Sequence, residues 1–127
     1  MNGYEVKIKE ASCELTPKQK VMYKDTGDAV KLDEAVTEGN PLAIEPIGYV
    51  VLQVHNDKSD NPDYEQFVIL SADGTKYVTG SSSFWDSFMN IWRELGGIDS
   101  DEAWMINVFK SPSRNFKGKF FLSCSVI

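Results

Sequence analysis

The chain has 127 residues, of which 42% are hydrophobic and 25% charged, with a net charge of −6. That length suits one domain, and the composition excludes a disordered chain, while the negative balance excludes a protein coated in cations like a histone. No apolar run approaches the roughly 20 residues that span a bilayer, and Met1 to Lys9 lacks the apolar centre of a leader, so the protein is expected to stay where it is made.

In chain order, Tyr4 to Leu15 alternates Val6 and Ile8 with Lys7 and Lys9, which predicts a half-exposed strand. Thr16-Pro17 starts a short helix through Tyr23, and a second short helical piece is predicted over Ala29 to Val36. Ile47 to His55 is apolar on both alternating sets, the pattern of a central strand covered on both faces. Asn56 to Asp63 is a polar loop, Tyr64 to Ser71 a strand, Ala72 to Thr75 an Asp-Gly hairpin turn, and Lys76 to Thr79 the returning strand. Ser83 with Asp86 suggests a capping box for a helix that carries Phe84, Trp85, Phe88, Ile91, Trp92 and Leu95 on one stripe and ends at Gly96-Gly97. At that periodicity the aromatics belong to a core face and not to a binding platform. Strands around Ile106 and over Phe120 to Ile127 follow, joined by a long loop, Ser111 to Gly118.

From Ile47 onward the order is three strands, a helix and two strands. This is the order of the OB-fold, a five-stranded Greek-key barrel, and here it leaves residues 1–40 as an N-terminal addition to a barrel over residues 41–127. A β-sandwich or a small mixed arrangement is the other reading.

Catalytic material is sparse. His55 is the only histidine, and the chain has no Gly-x-Ser-x-Gly, no Walker-type or Gly-x-Gly-x-x-Gly loop, and no cysteine with a base beside it in sequence. Asp57, Asp60 and Asp63 share one loop but lack the glycine and downstream glutamate of an EF-hand, so neither a metal nor a cofactor is expected. Cys13 and Cys124 read as reduced, mostly buried thiols, with a disulfide between terminal strands as the alternative.

Charge is distributed unevenly. Asp25 to Thr75 holds eleven acids against Lys31 and Lys58, net −9, whereas Ala103 to Ile127 has no acid and carries Lys110, Arg114, Lys117 and Lys119, net +4. Cations neutralise phosphates and flat rings stack on bases of any sequence. Lys110, Arg114, Phe116, Lys117 and Lys119, with Lys76 and Tyr77 on the short strand, therefore form the candidate nucleic-acid-binding set; the alternative is an ordinary solvated hairpin.

The segment FVILSADGTKY (Phe67 to Tyr77), the following helix, a Lys-Gly hairpin and the closing FFLSCSV (Phe120 to Val126) resemble the short single-stranded DNA-binding proteins of phi29-like bacteriophages. The resemblance runs from about Lys18 to the C-terminus and carries over Tyr77 and Lys117-Gly118 by position. It implies an OB-type fold, sequence-independent coating of single-stranded DNA during phage replication in the bacterial cytoplasm, and no cofactor. Partners would be single-stranded DNA and phage replication proteins, with cooperative self-association and no membrane. The chain ends Ser-Val-Ile, so recruitment through an acidic tail is not expected. The competing expectation is an acidic phage-encoded inhibitor or interaction module that mimics DNA.

Overall fold

The computed structural model describes residues 3–37, 39–100, 103–112 and 120–127. In chain order the elements are β1 (Tyr4–Ala11), α1 (Pro17–Lys24), β2 (Val30–Lys31), α2 (Leu32–Ala35), β3 (Leu42–Ile44), β4 (Pro46–Asn56), β5 (Asp63–Ser71), β6 (Lys76–Thr79), α3 (Ser82–Leu95), β7 (Ile106–Pro112) and β8 (Phe120–Val126). They form a five-stranded sheet in the order β1-β4-β5-β6-β2 and a three-stranded sheet in the order β3-β7-β8. The fold is thus β-rich with few helices.

The strand at Ile47 to His55 is central, as its double-sided apolar pattern predicts. Along β4, Tyr49 and Val51 enter one buried cluster while Val50, Leu52 and Val54 enter another on the opposite face. Successive side chains in a strand point to opposite faces, so a strand that is apolar at every position must be covered twice. On the first face lie α3 and the inner side of the second sheet, through Phe84, Trp85, Phe88, Ile106, Val108, Leu122 and Cys124. On the other, Tyr23 of α1 and Val6 and Ile8 of β1 close a smaller core.

The aromatic stripe of α3 is a core face. Phe88 is fully buried and lies 5.1 Å from Trp85, 5.7 Å from Trp92 and 6.0 Å from Tyr49, measured between ring centroids. Phe67 of β5 stacks on Trp85 at 4.6 Å with only 11° between the planes. The helix ends at Gly96, whose φ of 78° stops the turn, and a Cβ at Gly97 would lie 2.6 Å from the Trp92 ring. At the β5–β6 turn, Gly74 has φ 91° and the Asp73 carboxylate accepts the Thr75 N–H at 2.9 Å, as the Asp-Gly signal predicts.

Several expectations are corrected. The N-cap of α3 is Ser81, which accepts the Phe84 N–H at 3.2 Å; the Ser83 hydroxyl instead donates to the Leu122 carbonyl of β8 at 2.9 Å, a tertiary contact that outcompetes a local cap. The Ala29–Val36 helix shrinks to the single turn of α2, because Val30 and Lys31 pair in parallel with Tyr77 and Val78 of β6. Ser111 and Pro112 belong to β7, opposite Phe121 and Phe120, and not to the loop. In the N-terminal segment β1 forms an edge strand of the main sheet, paired along β4 from Tyr4↔Asn56 to Ala11↔Val50.

No closed barrel forms among the described residues. In the expected barrel the last two strands would close against the first ones. β7 does meet the start of the expected barrel, pairing with β3 from Leu42↔Val108 to Ile44↔Ile106, but β8 pairs with β7 alone and the outer side of β6 is taken by β2, so both sheets stay open.

Candidate nucleic-acid interface

The acid-free end of the chain folds as the β7–β8 hairpin. Its inner face, Ile106 and Val108 opposite Val126 and Cys124 and then Leu122, anchors it to the core. Strand alternation turns Asn107, Phe109 and Ser111, opposite Ser125, Ser123 and Phe121, to the other face, where the Ser123 hydroxyl lies 3.1 Å from that of Ser87 on α3. Phe120 and Phe121 open β8 with 44% and 41% of their surfaces exposed, and Phe109 is half-buried nearby in the ladder. These rings flank the span 113–119, whose sequence supplies Arg114, Phe116, Lys117 and Lys119. Those four site residues lie outside the described residues.

The other three do not converge. Lys76 is only 9% exposed; its ammonium donates to the Met22 carbonyl at 2.8 Å and to the Asp25 carbonyl, and pairs with Asp28 at 2.9 Å. It ties β6 to the end of α1 and the loop beyond, so its donors are occupied inside the fold. Tyr77, next in the strand, points to the opposite face, across from Ile69 and packed on the α3 cluster. Burial pushes its phenol pKa up, and the Asp73 carboxylate adds to this. Half-buried and turned away from Lys76, it does not share a surface with that lysine. Lys110 is on β7 but donates to the Asp33 carbonyl of α2 at 2.8 Å.

The signal that picks out Phe120 and Phe121 was present in the sequence. Two adjacent phenylalanines in an alternating strand cannot both face one core. The missing information was how much of each ring the surrounding fold leaves exposed.

Two further surfaces bear on anion binding. A cleft of about 600 Å³ between β1, β4, β5 and α3 has a floor of Val51, Phe67, Trp85 and Met89. Its rim carries Lys9 and Arg93 against Glu10, Glu65, Asp86 and Glu94, an acidic excess that repels phosphate. At the far end of β4, His55 is held between Asp63 at 2.7 Å and Asp57 at 2.6 Å. Carboxylates only accept, so both contacts are hydrogen bonds when both ring nitrogens carry hydrogen, and the Asp63 and then the Asp57 hydrogen bond raise the imidazole pKa. A ring so occupied is not a free base.

Cys13 is exposed and Cys124 buried, both as free thiols, which corrects the expectation of two buried ones; burial pushes the Cys124 pKa up to about 12. Among the described residues no group of three or more His, Cys, Asp or Glu is placed to hold a metal ion, and no helix is long and apolar enough to cross a membrane. No family model, curated protein or solved structure matches the chain.

Proposed function

We propose that this protein binds single-stranded DNA through the β7–β8 hairpin, without sequence preference and without covalent chemistry. The observation that carries the reading is the exposure of Phe121 on the Phe109 face of the hairpin and of Phe120 on the opposite face beside it, in an acid-free segment, residues 103–127, of net charge +4 within a chain of net charge −6. Exposed rings stack on bases that a single strand leaves uncovered, and the neighbouring cations meet its phosphates. A duplex keeps its bases stacked and offers the rings nothing. Phe109 extends the face that bears Phe121.

An OB-type architecture goes with this reading. The β4–β6 meander, α3 and the β7–β8 hairpin keep the chain order of such domains. The biological role that fits is coating of single strands during phage replication in a bacterial host.

Labelled oligo(dT) and a matched duplex, titrated by fluorescence anisotropy at low and moderate salt, test the proposal. Salt-sensitive binding of the single strand alone supports it. Absence of binding at low salt removes it.

The competing reading, an acidic DNA mimic, draws on the net −9 of Asp25 to Thr75. Several of those acids are already engaged: Asp28 with Lys76, Glu65 with Lys9, and Asp57 and Asp63 with His55. This favours the hairpin. Loss of function on neutralising Asp57, Asp60 and Asp63, with the hairpin silent, would favour the mimic.

A further inference from the structure

Among the described residues the outer edge of β1 has no strand partner, since β1 ends the five-stranded sheet. Its backbone polarity can be read from the ladder. The Asp57 N–H donates to the Gly3 carbonyl at 2.7 Å, so Gly3 and Asp57 form a hydrogen-bonded pair. Antiparallel pairs alternate, so Glu5↔His55 and Lys7↔Gln53 are the next hydrogen-bonded pairs. The N–H and C=O groups of Tyr4, Val6 and Ile8 therefore turn outward. The register slips between Ile8 and Glu10, and this bulge bounds the regular edge to Tyr4–Ile8, a run centred on Val6.

That run is self-complementary. We infer that β1 is a self-association edge, where a second copy of this chain pairs antiparallel about Val6 and the two five-stranded sheets become continuous. Val6 then exchanges both backbone hydrogen bonds with its own counterpart, and Tyr4 does so with Ile8 of the second copy, which uses every outward group of the run. Glu5 faces Lys7 of the second copy, and Lys7 faces its Glu5, in the close non-hydrogen-bonded positions where opposite charges help most.

Faces also match. Val6 and Ile8 pack on the smaller core, so their pairing extends an apolar face and covers Tyr4, which is 44% exposed. Glu5 and Lys7, with side chains 57% and 69% exposed and 3.4 Å apart within one chain, lie on the polar face. Shifting the centre to Lys7 or to Glu5 sets that residue against its own copy, a like-charge contact, so charge selects the Val6 register. The two lysines and the bulge that discourage promiscuous edge pairing leave this one arrangement satisfied. The inference is independent of the nucleic-acid reading.

The test is sedimentation velocity of the full chain over a wide micromolar range, without DNA. A concentration-dependent species of twice the 14.3 kDa chain mass is expected. Glu5→Lys and Lys7→Glu should each weaken it roughly tenfold by creating like-charge pairs, and the double exchange should restore it. Val6→Pro removes an outward donor, at the cost of the Val6 packing and of a fixed φ, and should abolish the dimer, with circular dichroism reporting retained strands; if that variant unfolds, the charge exchange decides alone. A monomer at every concentration, or a dimer indifferent to Glu5→Lys and to the double exchange, overturns the inference.

Discussion

The ammonium of Lys76 sits 2.9 Å from the carboxylate of Asp28 while its remaining donors reach the Met22 and Asp25 carbonyls, so a lysine of a two-faced hairpin strand is a buried tie between β6 and the α1 region. Lys76→Met should leave those carbonyls without donors and cost about 2 kcal/mol, in the range for an unsatisfied buried polar group. Urea unfolding measures this. Affinity for oligo(dT), corrected for folded fraction, should not change; a specific loss of affinity in a stable variant would return Lys76 to the binding surface.

The same pair sets an acid limb of stability. The hydrogen bond and charge of Lys76 hold the Asp28 pKa below its ordinary value, so its contribution is complete above the unfolded carboxylate pKa and is lost as pH falls through the folded one. Asp28→Asn should flatten the fall of thermal midpoint below about pH 4, where an unperturbed aspartate titrates. An unchanged acid limb would show that other carboxylates govern it.

His55 acts in the opposite direction. Its pKa is raised by Asp63 and Asp57, so the stabilisation is fully present below the unfolded value of about 6.5 and disappears as pH rises through the folded value. Melting temperatures followed from slightly acidic to mildly alkaline buffer should decline through that window in the native chain. His55→Gln should show a smaller decline; equal slopes would remove the clamp from the account.

At the hairpin, Phe120→Ala and Phe121→Ala should each weaken oligo(dT) binding by about 1–3 kcal/mol, the usual worth of one stacked base. Both rings are more than two-fifths exposed, so the melting temperature should move little. Arg114→Glu, Lys117→Glu and Lys119→Glu combined should abolish binding and flatten its salt dependence. Full affinity in these variants would remove the hairpin as the interface.

Phe88 offers a contrast. It is fully buried among Tyr49, Trp85 and Trp92, so Phe88→Ala should cost about 3–5 kcal/mol and erode cooperative unfolding. A loss below 1 kcal/mol would mean that the aromatic cluster collapses around the gap and is less closely packed than it looks.

Thiol chemistry gives a simple check on the two sheets. A disulfide reagent should modify Cys13 quickly in the native protein and Cys124 only on unfolding, since Cys124 is buried with its pKa pushed up to about 12. Two fast thiols would contradict the packing of β8 on α3.

What the sequence by itself determined was local. Alternation located β4 and β5, the Asp-Gly pair located the hairpin, helical spacing made the α3 aromatics a core stripe, and Thr16-Pro17 located the start of α1. Each of these is set by residues a few positions apart, whose periodicity and turn chemistry act before any long-range contact forms. Tertiary structure decided the rest: that β1 is the edge of the main sheet, that β3 leaves it to pair with β7, that Val30 and Lys31 become a strand, and that Ser81 and not Ser83 caps α3. It also separated Lys76, drawn inward by the carbonyls at the end of α1, from Tyr77 on the opposite face, and left Phe120 and Phe121 partly exposed at the hairpin. Such outcomes depend on which distant strand or carbonyl wins a given edge or donor, a competition between contacts far apart in the chain that no short stretch of sequence records.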